Sequence, residues 1–254
     1  MSLRFNEKSH RYWMDKKPTT GVTTLLKSGL PIPGLMYWSA RTVAEYVAEN
    51  YESVGDMLRT GGPGPTIGFL KGTPWAKRDE AAVKGTAVHA LAERVIHGTE
   101  VDVPEHLHDY VQGYVDFLDA FKVEPILTEK SCGNRRWWYT GRFDTVARID
   151  GAVTLLDLKA GKGVYGSTAL QCAAYARAEF YVEDDDIDTE YPMPVIERIA
   201  VAHVTDGGTT LHDLGDIDEA FKIFTHVQYL AKQKDRIDAF LSEPVEPPTQ
   251  KDVA

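Results

Sequence analysis

The chain has 254 residues, 43% of them hydrophobic, and this size suits a single large domain that buries a real core. Its formal net charge of −10 argues against a protein that coats DNA non-specifically, because such binding depends on Lys and Arg replacing counterions. The two cysteines, Cys132 and Cys172, are too few for a disulfide framework, a four-Cys zinc site or a four-Cys iron–sulfur cluster.

No segment approaches the roughly 18 to 20 uninterrupted apolar residues of a membrane span, and the N-terminal residues lack the apolar region of a signal peptide. We therefore expect a cytoplasmic protein with no membrane partner. The phosphate loop Gly-x-x-x-x-Gly-Lys-Ser/Thr is also absent from the sequence, so we expect no nucleotide cofactor. An acidic chain can still act on DNA through a local basic groove, because its far surface is screened beyond about 8 Å.

The predicted elements begin with two short strands within residues 3–14, around the turn-forming residues 6–9. A short helix over 19–27 and a longer helix over 35–51 follow. The glycine and proline run at 61–65 then predicts an exposed loop, which we extend to residue 72.

Two long helices are predicted next, over 74–96 and 104–122, each opening with a proline that suits a first helical turn. The remaining elements are, in chain order, strands over 125–131, 137–149 and 152–159, a helix over 168–181, strands over 195–204 and 209–214, and a helix over 218–241. This order predicts an α/β fold with a mixed central sheet built on residues 125–159 and flanked by helices. The proline-rich residues 244–254 predict a disordered tail.

The strongest local signal is Asp150-Gly151, which lies between two predicted strands and favours a type I′ β-turn. In the resulting register Asp144 faces Asp157, and Arg142 faces Lys159. Because side chains alternate along a strand, these four charged groups should share one face of the hairpin. The other face should carry apolar side chains suited to a core, namely Phe143, Ile149, Leu156 and Leu158.

Two carboxylates placed opposite each other repel and destabilise a sheet. A divalent cation, Mg²⁺ or Mn²⁺, would neutralise Asp144 and Asp157, because hard cations prefer oxygen ligands. Lys159 could then orient an attacking hydroxide or stabilise negative charge during phosphodiester hydrolysis. Alternatively, Arg142 and Lys159 close a purely structural salt-bridge cluster with the two acids.

Two helices carry further polar residues at helical spacing. On the first, Gly85, His89 and Glu93 follow one another at intervals of one turn. On the second, Gln171 and Tyr175 share a face. Taken alone, each of these patterns is typical of ordinary amphipathic packing.

The order of these motifs is more specific than any one of them. Gly-x-x-x-His at 85–89 is followed by Gly-Arg-Phe-Asp at 141–144, Leu-Leu-Asp-Leu-Lys at 155–159 and Gln-x-x-x-Tyr at 171–175. Together they resemble the nuclease module of RecB-like PD-(D/E)XK enzymes. The resemblance implies a restriction-endonuclease-like core over 73–243, in a single domain 1–243 whose first 72 residues form an N-terminal embellishment.

The resemblance also implies roles for individual residues. A metal ion would be bound by His89, Asp144 and Asp157, and Lys159 would act on the attacking hydroxide or on the transition-state charge. Gln171 and Tyr175 would help to hold DNA or the active-site lysine. Glu129 resembles the additional acid that several members place near the metal, although it could equally be a solvated edge residue. Glu93 is a weaker candidate.

Further DNA contacts are predicted from Arg142, from Lys162 in the basic turn 161–163 and from Lys71 in the loop 61–72. The pair Trp137-Trp138 could stack on bases, but hairpin packing is the favoured interpretation. The acidic run 183–188 is interpreted as a solvated loop, because an EF-hand would need Gly in place of Thr189.

The expected function is that of a metal-dependent DNA exonuclease, phage-encoded and serving recombination, repair or genome processing. Its substrate would be linear DNA ends, and a recombination protein is a possible partner. Two alternatives remain: a structure-specific endonuclease, and a DNA-binding protein that keeps the nuclease fold without catalysis. The iron–sulfur cluster of some members of this branch requires four cysteines, so this chain should lack it. The oligomeric state stays open.

Overall fold

The computed structural model of the protein describes residues 3–6, 11–161 and 163–244. In this part of the chain, helices cover both faces of a mixed β-sheet. The predicted α/β architecture with a mixed central sheet is therefore confirmed. None of the helices in the described ranges is long and apolar enough to cross a membrane.

The helices, in chain order, are α1 (Val22–Gly29), α2 (Pro33–Glu49), α3 (Tyr51–Gly61), α4 (Pro63–Ile96), α5 (His108–Ala120), α6 (Ser167–Ala176) and α7 (Ile217–Asp238). A short 3-10 turn, Glu105–Leu107, precedes α5. The strands are β1 (Leu3–Asn6), β2 (Arg11–Met14), β3 (Lys17–Gly21), β4 (Glu124–Asn134), β5 (Tyr139–Ile149), β6 (Ala152–Ala160), β7 (Phe180–Val182), β8 (Tyr191–Pro192), β9 (Arg198–Thr205) and β10 (Gly208–Asp213).

The sheet is organised around β5. Strand β4 pairs antiparallel with β5 along nearly its whole length, and β7 and β8 continue the sheet beyond β4. On the other edge of β5, β3 pairs in parallel at Tyr139 and Thr140, whereas β6 pairs antiparallel from Thr145 to Ile149. Residues 141–144 of β5 therefore lie in a gap between β3 and β6. Strand β6 continues past this gap by pairing in parallel with β9.

Each face of the sheet has its own hydrophobic core. One core lies against α1, α6 and α7 and includes Phe143, Val146, Leu155, Tyr175 and Phe224. The other lies against α4 and α5 and includes Val88, Phe117, Ile149, Leu156 and Leu158. Residues 141–144, and the end of β6, are thus held between two packed layers of helices.

The hairpin between β5 and β6 has the predicted turn. Asp150 has φ 52° and Gly151 has φ 83°, and a type I′ turn requires positive φ at both central residues. The pairing runs from Ile149 opposite Ala152 to Thr145 opposite Leu156, which is the predicted register. This part of the prediction is confirmed.

Beyond Thr145 the prediction for this hairpin is wrong. The ladder between β5 and β6 ends there, while β6 stays paired with β9 on its other edge as far as Ala160. Asp144 and Thr145 consequently line the same small pocket instead of pointing to opposite faces. Phe143 belongs to a different core from Ile149, Leu156 and Leu158, so the four apolar side chains do not share one face.

The predicted loop at 61–72 is also wrong. Helix α3 ends at Gly61, and α4 begins at Pro63 and continues through Pro74 to Ile96. Proline suits the first turn of a helix, where its missing N–H is not needed, so the Gly-Pro run opens α4 rather than breaking the chain. Lys71 accordingly lies on a helix.

Smaller corrections concern element ends. The predicted helices over 19–27 and 168–181 are shorter than expected: residues 17–21 form β3, and α6 ends at Ala176 before β7. The last helix ends at Asp238 instead of Leu241. Most of the predicted turn 6–9 and all but the first residue of the predicted tail 244–254 lie outside the described residues.

Candidate metal and catalytic site

An open cleft of about 590 Å³ lies between α4 and the strands β4, β5 and β6. Helix α4 lines it with mostly small side chains, together with two polar ones: Ala81, Ala82, Gly85, Thr86, His89, Ala90 and Glu93. The strands contribute Glu129, Arg142, Asp144, Lys159 and Ala160. The helical spacing of Gly85, His89 and Glu93 explains why all three face this cleft.

Three side chains in the cleft form a compact set of donors. One potential ligand atom from each of His89, Glu129 and Asp144 lies within 4.8 Å of the other two. The Nδ1 atom of His89 is 3.7 Å from Oδ2 of Asp144. Glu129 stands opposite Asp144, since the residues on either side of it pair with Thr145 and Phe143. Its φ of 51° is an uncommon value for a non-glycine residue, of the kind found at functional sites.

Asp144 connects β5 to β6 just beyond the end of the backbone pairing between these strands. Its Oδ2 atom accepts a hydrogen bond of 2.7 Å from the backbone N–H of Leu158. Burial and the neighbouring Asp157 raise the pKa of the Asp144 carboxyl from 3.8 to about 7. The two aspartates therefore repel each other as predicted, although they do not form a direct cross-strand pair.

Asp157 is nearly fully buried and faces different partners. Its Oδ1 atom accepts a hydrogen bond of 3.0 Å from Nε2 of Gln171. Its Oδ2 atom lies 2.5 Å from Nζ of Lys159, outside hydrogen-bonding angles. This oxygen therefore has an ion-pair partner but no aligned hydrogen-bond donor among the described residues. Burial raises the pKa of Asp157 and the Lys159 charge opposes that shift.

Lys159 stays cationic in this setting. Burial acts to lower the pKa of its ammonium group, but the charges of Asp157 and Asp144 outweigh burial, and the net shift is upward. An ammonium that holds its proton is suited to stabilising negative charge and unsuited to removing a proton from water. The charge of Lys159 suits both of its expected roles, orienting an attacking hydroxide and stabilising negative charge.

The pKa of His89 shifts in the opposite direction to that of Lys159. Burial and the charge of Lys159 lower its pKa, although Asp157 and Glu129 oppose the shift. A neutral imidazole keeps a lone pair available for a metal ion, because metal-binding histidine must be deprotonated.

The donor set fits Mg²⁺ or Mn²⁺. Two carboxylates supply the oxygen ligands that hard cations prefer, and Mn²⁺ also accepts imidazole. His89, Glu129 and Asp144 would hold the ion, so Glu129 replaces Asp157 in the compact set expected from the resemblance.

The two residues predicted on α6 have distinct positions. Gln171 holds the carboxylate of Asp157, so it orients an acid instead of the lysine. Tyr175 is 3% exposed. A β-carbon added to Gly141 would lie only 2.3 Å from Cε1 of the Tyr175 ring, so the ring packs directly on this glycine. Tyr175 offers almost no surface to DNA, and its predicted DNA contact is replaced by packing against the backbone of β5.

The three basic residues predicted to contact DNA also differ in their positions. Arg142 does not face Lys159; its guanidinium contacts Glu129 and Asp184. Lys71 is not among the described residues that line the cleft. Lys162 lies outside the described residues.

The tryptophan pair takes part in packing, as the favoured interpretation had it. Trp137 packs edge-on against Phe221, and the indole N–H of Trp138 donates to the backbone oxygen of Pro18.

One neighbour of the site was missed from the sequence. Asp184 reaches Arg142 from the acidic run that follows β7, and the run had been interpreted as a solvated loop. Its position depends on the pairing of β7 with β4 across residues 131–133 and 180–182. Charge density was the available signal, but the sequence alone does not indicate which strand β7 joins.

We expect Asp144→Asn to stabilise the metal-free protein at high pH. The folded pKa of about 7 exceeds the ordinary value of 3.8, so the folded state binds the proton more tightly. The resulting contribution to stability is complete below about pH 4 and is lost as pH rises towards about 7, and it amounts to about 4 kcal/mol. Urea unfolding of both proteins with EDTA, across this pH range, measures the difference.

The same variant should also lose most of its stabilisation by Mn²⁺, because a neutral amide is a poorer ligand than a carboxylate. Asp150→Asn, in the exposed turn of the same hairpin, is the matched control and should respond to Mn²⁺ like the unaltered protein. Equal Mn²⁺ stabilisation of Asp144→Asn and the unaltered protein would contradict the proposed ligand set.

Comparison with known proteins adds little. No family model matches the sequence, and no curated protein matches it. One solved structure, described as that of SSO0001, aligns over 86% of this chain and 76% of its own, with 13% sequence identity and a TM-score of 0.31. A likeness of that size carries no argument about fold family or activity.

Proposed function

We propose that this chain is a metal-dependent deoxyribonuclease with a restriction-endonuclease-like core, of the RecB-like branch of the PD-(D/E)XK superfamily. One observation carries the proposal. Residues from α4, β4, β5 and β6, which are far apart in sequence, converge on a single open cleft. They supply a compact set of metal ligands and, next to it, a buried carboxylate paired with a lysine.

This combination suits phosphodiester hydrolysis. A divalent cation held by His89, Glu129 and Asp144 would lower the pKa of a bound water and polarise a phosphoryl oxygen. Lys159 presents a fixed positive charge near the same point, where it can stabilise the charge that develops on the phosphate. Asp157 holds this ammonium in place, and Gln171 in turn holds Asp157.

The shape of the cleft supports a large polymeric substrate. The α4 wall near His89 carries alanine, glycine and threonine side chains, so a strand of DNA can approach the strands of the sheet closely. Gly85 has ordinary packing distances, since a β-carbon added there would meet its nearest atom, Ala160 O, at 3.7 Å. A glycine at position 85 is therefore not needed to pack α4 tightly onto β6.

Exonuclease activity on linear DNA is the favoured form of the proposal, by resemblance to phage-encoded members of the branch. A role in recombination, repair or genome processing, with a recombination protein as partner, rests on the same resemblance. A structure-specific endonuclease would use the same residues, and a DNA-binding protein without catalysis would keep the same fold.

Digestion of linear and covalently closed circular DNA, each with Mg²⁺, Mn²⁺ or EDTA, separates these possibilities. We expect metal-dependent loss of the linear DNA alone. Cutting of the circle would assign an endonuclease. Intact linear and circular DNA in both metals, together with measurable DNA binding, would replace the nuclease by the binding protein.

A further inference from the structure

Arg142 lies where the catalytic cleft meets a second cavity, of about 540 Å³. This second cavity is walled by β1, β4, β7 and the segment after β7. Its polar lining includes Arg4, Ser131, Arg142 and Asp184. Arg142 therefore borders both cavities, and an anion bound to its guanidinium would lie at their boundary.

The guanidinium of Arg142 is occupied by acidic side chains of the protein. Its Nη1 and Nη2 atoms donate to the two carboxylate oxygens of Asp184, at 2.8 and 3.1 Å. Its Nε atom donates to Glu129 at 2.9 Å. On the other face of the sheet, Lys130 forms an ion pair with Glu183. Consecutive acids of one segment thus neutralise two cations of β4 and β5.

The contact between Arg142 and Asp184 has the geometry that arginine also uses for phosphate. Two parallel N–H bonds to two oxygens of one anion are typical of both partners. The acidic segment, residues 183–188, carries five carboxylates, so it presents closely spaced negative charge as a DNA backbone does. Asp184 is 58% exposed, and a phosphate can therefore compete with it from solvent.

We propose that Arg142 binds a backbone phosphate of the DNA strand next to the one being cut, and that Asp184 occupies this phosphate site when DNA is absent. The second cavity receives the neighbouring nucleotide, with Ser131 and Arg4 as further donors. The inference rests on the proposed function for the identity of the ligand. It adds a binding site and a competing internal anion that sets the affinity for DNA.

The test compares DNA affinity among variants that all carry Lys159→Ala, so that cutting does not interfere. Binding of a short fluorescein-labelled DNA duplex with a single-stranded end is followed by anisotropy in Mn²⁺. We expect Asp184→Asn to tighten binding by about tenfold at low salt, because Arg142 then pairs with phosphate without competition. The gain should shrink as salt rises.

Asp185→Asn is the matched control, since it makes the same charge change one residue away. Asp185 is exposed and has no ion pair among the described residues, so we expect its effect to stay within about twofold. Adding Arg142→Gln to Asp184→Asn should abolish the gain. If Asp184→Asn fails to fold by thermal melting, Asp184→Ser, which also removes the carboxylate that pairs with Arg142, provides the same comparison with Asp185→Asn.

Equal affinities of the Asp184→Asn and Asp185→Asn proteins would overturn the inference, even if the chain proves to be a nuclease. Weaker binding by Asp184→Asn, or a gain that survives Arg142→Gln, would overturn it as well. If the protein with Lys159 intact binds DNA but never cuts it, the proposed function fails, whereas the tenfold gain in affinity would still support the phosphate site.

Discussion

Lys159→Ala should reduce DNA cleavage by at least about a hundredfold, which is the usual effect of removing a group that stabilises transition-state charge. The Nζ atom of Lys159 lies 2.5 Å from Asp157 and borders the cleft. No other lysine or arginine of the described residues except Arg142 lines this cleft, and Arg142 is held by Glu129 and Asp184. Initial rates on labelled linear DNA in Mn²⁺ measure the loss.

The control for this variant is Lys84→Ala on α4. Lys84 contacts Tyr110 and does not line the cleft, so its loss should leave the rate within about twofold. Lys159→Ala also leaves Asp157 buried without its ion-pair partner, which destabilises the folded protein. Lys159→Gln limits this loss of stability, because glutamine keeps a hydrogen-bond donor. An undiminished rate in a folded Lys159→Ala or Lys159→Gln protein would remove Lys159 from the mechanism.

Gly141→Ala should destabilise the protein by about 3 kcal/mol, because the added carbon overlaps a buried ring. A β-carbon at this position would lie 2.3 Å from Cε1 of Tyr175, and Tyr175 is only 3% exposed. For a chain of this size we expect the melting temperature to fall by roughly 10 °C. Thermal and urea unfolding of the two proteins measure the effect.

Gly85→Ala is the comparison for this second variant. Its β-carbon would meet the nearest atom, Ala160 O, at 3.7 Å, which is ordinary contact. Replacing glycine by alanine inside a helix should then be neutral or stabilise by up to about 1 kcal/mol. Adding Tyr175→Leu to Gly141→Ala should recover part of the lost stability. If the Gly141→Ala protein is as stable as the unaltered chain, the packing of the Tyr175 ring does not require a glycine at position 141.

The hairpin between β5 and β6 shows what local sequence can predict. Asp150 and Gly151 specify a turn with two positive φ values, and this turn sets the register of the five residue pairs next to it. The register no longer applies at Asp144, where the ladder between β5 and β6 has ended and β6 is held by its pairing with β9. That pairing joins residues far apart in the chain, and no local pattern near Asp157 indicates it.

Which acids of the predicted ligand set lie together depends on long-range pairing for a related reason. Glu129 reaches Asp144 because β4 pairs along β5 and adopts a left-handed conformation at Glu129 itself. Asp157 was expected in the same set, but its buried carboxylate is drawn to Lys159 and Gln171. Motif order therefore predicted residues that line one cleft, and long-range strand pairing decided which acids meet within it.

If one metal-binding cleft cuts DNA, Mn²⁺ binding and DNA cleavage should change together when both are measured in the same samples. Mn²⁺ occupancy by electron paramagnetic resonance is compared with the rate of loss of labelled linear DNA, for the unaltered protein, Glu129→Gln and Asp144→Asn. We predict that cleavage rises with occupancy and that both variants lose both signals. Cleavage that persists in EDTA, or full Mn²⁺ occupancy without any cleavage, would contradict the claim.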